Sequence, residues 1–149
     1  MLSPQRSESR SERWGQMFEL VTHRRFIDER GALNLLESSK ELPFTPHRVF
    51  WVTGVPKGSK RGFHAHKTGN QLLFCLQGSI LLTLKTHAEE ETIVLSADSP
   101  GVWVKNMVWG EQTFLTGDAV LLALASNEFD ESDYIRDFDE FSELSKQGL

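Results

Sequence analysis

From Phe18 onward the chain alternates short apolar segments with turn signals, a period-two texture rather than a helical one. Residues 18–22 and 32–37 are predicted strands on either side of the turn Asp28-Glu29-Arg30-Gly31. Leu42-Pro43-Phe44-Thr45-Pro46 is a predicted loop, because its two prolines would break any strand ladder. Residues 48–53 are aromatic and β-branched and end at Gly54-Val55-Pro56-Lys57-Gly58, which predicts a strand. Further strands are predicted at 63–66, 71–76, 79–86, 91–95, 102–104, 108–114 and 119–126. Many short strands at about 8–12-residue spacing imply an all-β sandwich or barrel. No internal repeat or coiled-coil heptad interrupts the pattern. The two ends differ from the middle. Residues 1–16 are polar, with Ser3, Ser7, Ser9 and Ser11 among alternating charges, and are expected to form a disordered lead-in to one folded domain over 17–149. Residues 128–139 are acidic, and Phe138, Phe141 and Leu144 fall at helical spacing behind Asp137. That arrangement predicts a short capped helix with one apolar edge on the barrel.

Composition narrows the picture. With 149 residues, 39% hydrophobic and 25% charged, the chain has the makeup of one soluble domain with a real core. A formal charge of −5 without a basic stripe argues against nucleic acid as a partner. The single cysteine, Cys75, lies in the apolar run 72–76 and reads as a buried thiol. One cysteine cannot form an internal disulfide, which suits a reducing compartment. No apolar run approaches the ~20 residues of a membrane span, and the N-terminus has no apolar signal core, so the cytoplasm is expected.

The candidate chemistry sits in Arg61-Gly62-Phe63-His64-Ala65-His66-Lys67-Thr68-Gly69-Asn70-Gln71. On a strand, side chains two apart share a face, so His64 and His66 project together. Two imidazoles on one wall can ligate a metal, or can act as an acid and a base titrating near neutrality. Arg61 stands just upstream, where a guanidinium could hold a phosphate bidentately. The interval from His66 to Gln71 and on to Gly78 resembles that of metal-binding cupins, which carry Glu where this chain has Gln71. A neutral amide is a poor ligand for a divalent cation. The only later histidine, His87, falls in a polar turn. A cupin that has kept its histidines and lost its metal is therefore expected.

Arg48-Val49-Phe50-Trp51, the Arg-Gly-Phe-His-Ala-His-Lys string, Gln71 and the closing Ala125-Ser126…Asp133-Tyr134-Ile135-Arg136 resemble the sugar 3,4-ketoisomerases. These are small WxcM-like cupins acting on dTDP-4-keto-6-deoxyglucose in bacterial surface-glycan (O-antigen and lipopolysaccharide) and antibiotic sugar pathways. The resemblance spans about residues 18–141. It implies a double-stranded β-helix, or jelly-roll, with no metal or cofactor, a homodimer with exchanged N-terminal strands, and a catalytic pair at His64 and His66. Two positions depart from the family pattern. Members often carry Tyr near Phe50, and often a His directly after the tryptophan matching Trp109, where this chain has Gly110. Product stereochemistry at C4 is left open by the string.

Moving a ketone from C4 to C3 needs removal of the C3 proton to an enediol and protonation of C4, work suited to histidine. His66 is expected to be the main base and His64 a relay or orienting partner. Arg61 and Arg48 are candidates for the diphosphate, and Gln71 for a sugar hydroxyl or for orienting His66. Trp103 and Trp109 are either stacking platforms for the ligand or core aromatics. Other readings are a metal-dependent cupin enzyme, which lacks a third ligand, a non-catalytic sugar-nucleotide-binding cupin, and a dTDP-sugar 3,5-epimerase.

Overall fold

The computed structural model describes residues 17–148, so the expected lead-in at 1–16 lies outside the described residues. The alternating segments form twelve strands: β1 (Phe18–Val21), β2 (Arg24–Asp28), β3 (Gly31–Leu35), β4 (Arg48–Val52), β5 (Lys60–His66), β6 (Gln71–Gln77), β7 (Ser79–Lys85), β8 (Glu90–Ser96), β9 (Gly101–Val104), β10 (Trp109–Phe114), β11 (Val120–Ala125) and β12 (Tyr134–Ile135). A 3-10 turn (Glu131–Asp133) precedes β12, and one α-helix, α1 (Phe138–Lys146), follows it. The strands make two five-stranded sheets, ordered β1-β9-β6-β11-β4 and β12-β5-β10-β7-β8, with β2–β3 as a separate ribbon. All pairings are antiparallel. This is a cupin-type jelly roll whose two sheets face each other without closing into one hydrogen-bonded barrel.

Period-two burial builds the core. In β7, Ile80, Leu82 and Leu84 are fully buried while their neighbours are half-exposed. They meet Leu73, Cys75, Val102, Phe114, Leu121 and Ala123 between the sheets. The Cys75 thiol is buried as expected, and burial raises its pKa. Two elements escaped the sequence pattern. The exposed β2, with Phe26 and Ile27 between charged residues, was not anticipated; the turn at 28–31 joins it to β3, whereas β1 pairs with β9. The two-residue β12 is too short to show a period.

Helix α1 forms as its cap and spacing predict. The Asp137 side chain accepts a hydrogen bond from Glu140 N at 2.9 Å, and acidic Asp139 and Glu140 occupy the first turn. Its Phe141 packs against Ala65, Trp109 and Ile135, a small core on the outer side of β5. Among the described residues, no helix is long and apolar enough to cross a membrane.

Candidate active site

Strand β5 carries the two histidines. Ala65 turns outward onto Phe141, so His64 and His66 both face inward, as their spacing predicts. They line a narrow cavity of about 20 Å3 with Gln71, Leu73, Leu82, Leu84, Val104, Val108, Gly110 and Gln112. Such a volume admits a water-sized group and not a hexose.

A bulge shapes this strand. Gly110 pairs with His64 and Glu111 with Gly62, so Phe63 is an extra residue in β5, held at φ +61°. Beside it Gly62 has φ +93°, and a Cβ there would lie 2.8 Å from Gly110 O. The extra residue resets the alternation. Arg61 pairs with cavity-lining Gln112 and so shares the face of His64, although it lies three positions upstream. Its side chain is exposed, and among the described residues it makes no ion pair.

The two imidazoles sit edge to face, with ring centroids 5.1 Å apart. His64 Nδ1 lies 3.2 Å from Gly62 O, and His66 Nδ1 lies 3.2 Å from Asp133 Oδ2. A carbonyl or an ionised carboxylate can only accept, so each Nδ1 carries the hydrogen and each Nε2 bears a lone pair. The two histidines differ in access. Nε2 of His66 is fully occluded and has no hydrogen-bond partner among the described residues, whereas His64 as a residue is only half-buried.

Burial, reinforced by the neighbouring His66, pushes the His64 pKa down to about 4. Burial also lowers the pKa of His66, against the opposing pull of Asp133. Both rings are therefore neutral at pH 7, and the His66–Asp133 contact is a hydrogen bond to a carboxylate rather than an ion pair.

The wider environment is aromatic and cationic. Tyr134, paired with His66 across β12–β5, packs at a steep angle against both rings, with centroid distances of 4.4 Å (His66) and 5.0 Å (His64). The Arg136 guanidinium lies over Tyr134 at 4.4 Å and is held by Glu131. Arg48 shares the inward face of β4 with Phe50 and packs its guanidinium over Phe50 and Phe129 at 5.5 and 5.6 Å. Its Nε is buried without a partner among the described residues, as is Gln71 Nε2. Unsatisfied buried groups are rare, and here three of them, including His66 Nε2, belong to predicted site residues. A wider groove of about 580 Å3 runs alongside, between Lys67–Thr68 and the segment 127–133.

Of the predicted site residues, His64, His66, Gln71 and the Cα of Arg61 share the cavity face. The two tryptophans do not. Trp109 packs beneath α1 against Phe138 and Phe141 and donates its indole N–H to Glu111 at 3.0 Å. Trp103 lies on the outer face of the other sheet with Leu72 and Phe74, its N–H 3.3 Å from Asn70 Oδ1. Strand alternation turns both away from the histidines, so of the two readings left open for them the packing favours that of core aromatics. Asp133, Tyr134 and Arg136 were not singled out as site residues. Their only local signal is the alternation in Asp-Tyr-Ile-Arg after an acidic turn.

Two tautomerically fixed imidazoles in a jelly roll, ringed by arginines, define a cupin built for proton transfer. Comparison with known proteins makes the class specific. The family described as "FdtA: WxcM-like, C-terminal" matches residues 16–146. The TDP-4-oxo-6-deoxy-alpha-D-glucose-3,4-oxoisomerase of Aneurinibacillus thermoaerophilus is 36% identical over 136 residues, covering 87% of this chain and 98% of that one. The sugar 3,4-ketoisomerase QdtA of Thermoanaerobacterium thermosaccharolyticum, solved with TDP, superposes with a TM-score of 0.85 at 37% identity, covering 89% of this chain and 96% of that one. A histidine-to-asparagine variant of QdtA, solved with TDP-4-keto-6-deoxyglucose, gives 0.84 at 37% identity and covers 87% and 94%. The chain belongs to the WxcM-like family of sugar 3,4-ketoisomerases.

Proposed function

We propose that this protein moves the ketone of dTDP-4-keto-6-deoxyglucose from C4 to C3 through an enediol, without metal or redox cofactor, on a route to deoxyamino sugars in the cytoplasm. The observation that carries this reading is the pair of neutral imidazoles, His64 half-buried and His66 buried, in a fold whose relatives handle this sugar. His64 offers its Nε2 to the C3 proton and returns the proton to C4. This reverses the order expected from sequence, because His66 is the more deeply buried of the two and its ring is tied to Asp133. A second proton passes from O3 to O4 by way of His66. No oxidant is needed, since the two carbons exchange oxidation states.

The sugar lies across the mouth of the small cavity with its reacting edge toward the histidines, a placement that the cavity's volume of about 20 Å3 supports. Gln71 Nε2 supplies a hydrogen bond to the developing enediolate, and Arg48 and Arg61 hold the diphosphate. Incubation with dTDP-4-keto-6-deoxyglucose, followed by NMR of the product, tests the reading. A 3-keto product supports it. Unchanged sugar that nonetheless binds would favour a binding module, and deuterium entering at C5 would favour an epimerase. One equivalent of zinc, iron or manganese in protein purified without added metal, with activity lost to a chelator, would overturn the metal-free mechanism.

Arg61→Ala is expected to weaken dTDP binding by about 10- to 100-fold, the scale of a lost charge-assisted hydrogen bond. The melting temperature should hold, because the side chain is exposed. Calorimetric titration with dTDP measures the first effect, and a thermal scan the second.

Assembly as a homodimer with exchanged N-terminal strands belongs to the same proposal. The β2–β3 ribbon presents Phe26, Ile27 and Leu33 at 59%, 70% and 62% exposure and joins neither large sheet. Such a ribbon is marginal alone and gains stability by burying its apolar side chains. Sedimentation should give a mass near twice 17.0 kDa; a monomer at micromolar concentration would contradict the dimer.

A further inference from the structure

Asp133 has no part in the proton transfers just described, yet its carboxylate is the most heavily engaged group near the histidines. Its Oδ1 accepts from Thr68 N at 2.8 Å and Thr68 Oγ1 at 2.9 Å, and its Oδ2 from Gly69 N and His66 Nδ1, both at 3.2 Å. Its backbone is pinned too, for Lys67 N donates to Asp133 O at 2.8 Å and Asp133 N to Asp130 O at 3.0 Å. Burial opposes ionisation of this side chain, but the hydrogen bonds from Thr68 and His66 prevail and keep its pKa below the ordinary value. The loop leaves no slack. A Cβ on Gly69 would lie 2.8 Å from Asp133 Oδ2. An ionised carboxylate is thus fixed against one imidazole of the pair, whereas the other meets only a backbone carbonyl.

We propose that Asp133 is a positioning residue: it holds His66 as the Nδ1–H tautomer, so that the lone pair stays on the buried Nε2, unpartnered among the described residues, where a hydroxyl proton of the sugar can be taken up once substrate is bound. The inference rests on the proton-transfer reading of the pair. The asymmetry gives the two rings different duties. A proton on His64 sits beside His66 and two arginines, Arg48 and Arg136, with no carboxylate in contact, so it leaves readily for carbon. A proton on His66 meets the same two arginines, but the adjacent carboxylate of Asp133 stabilises it. His66 is therefore suited to hold the hydroxyl proton between its departure from O3 and its arrival at O4. Carboxylate–histidine pairing of this kind selects the tautomer and stabilises the imidazolium.

Asp133→Asn tests this without changing volume. Its amide oxygen can still accept both hydrogen bonds from Thr68, which turns the NH2 group toward His66 and the Gly69 N–H, and of these two only the imidazole can become an acceptor. Two N–H groups cannot face each other, so His66 should switch to the Nε2–H tautomer and lose its lone pair on Nε2. Long-range 1H–15N spectra of the full chain at pH 8 read this directly, with His66→Asn identifying the signal. The expected result is a protonated Nδ1 in the wild type, the reverse in Asp133→Asn, and an unchanged His64. Turnover should fall at least about tenfold, with KM within about twofold, because the diphosphate contacts are untouched. Gly69→Ala, which displaces the same carboxylate while keeping its charge, should lower kcat in the same direction. If Asp133→Asn fails to fold, the spectra and kcat of Gly69→Ala decide the matter. A wild-type His66 with hydrogen on Nε2, or a switched tautomer at wild-type kcat, would overturn the proposal. The spectra need no substrate, so they judge the tautomer claim even if the isomerase assay fails.

Discussion

His64→Asn is expected to lower turnover by about 10²–10⁴-fold, the usual contribution of a positioned acid–base group. The loss should fall on kcat, with dTDP affinity retained, because the arginines assigned to the diphosphate stay in place. Product formation together with deuterium incorporation at C3 and C4 measures it; wild-type incorporation in a folded variant would exclude His64 as the carbon base. The same substitution has a signature in stability. A histidine whose folded pKa is about 4 takes up a proton more readily unfolded, at an ordinary 6.5. The unfolded state therefore binds more protons between those values, and His64 erodes stability as pH falls through that window. His64→Asn should remove this part of the acid sensitivity. Denaturant midpoints of both proteins at pH 7 and pH 5 provide the comparison.

The largest expected loss of stability comes from Phe141→Ala, about 3–5 kcal/mol. Phe141 is fully buried and joins Ala65, Trp109 and Ile135 in one cluster behind β5. Removing the ring leaves a cavity that the surrounding sheet cannot close, and it detaches α1 from the back of the histidine strand. Urea unfolding at 25 °C measures the change. Activity should fall further than the folded fraction alone explains, because Ala65 lies between the two catalytic candidates and carries their register. Full specific activity in the folded population would show that the helix supports stability alone.

Trp109 illustrates the limit of reading one strand in isolation. From its neighbours it was equally a platform for the sugar and a core ring, since position along the strand does not say which face meets a ligand. Pairing with β5 and coverage by α1 favour the core. Arg48 is the opposite case. Its alternation with Phe50 and Val52 points it inward, and the buried, unpartnered Nε adds a reason for a ligand that composition alone could not supply.

What the sequence determined by itself is local. Period-two alternation marked ten of the strands, Asp137 with its phenylalanines marked the helix, and the His-Ala-His spacing put both imidazoles on one wall. Each depends on backbone geometry that neighbouring residues set. The rest was decided by partners far along the chain. Arg61 reaches the cavity face because β10 accommodates an extra residue at Phe63, and a bulge exists only between two paired strands. Asp133 meets His66 across a separation of 67 residues, through β12, which has no periodicity of its own. Which histidine is the less buried follows from that packing, because accessibility belongs to the assembled fold and not to either residue.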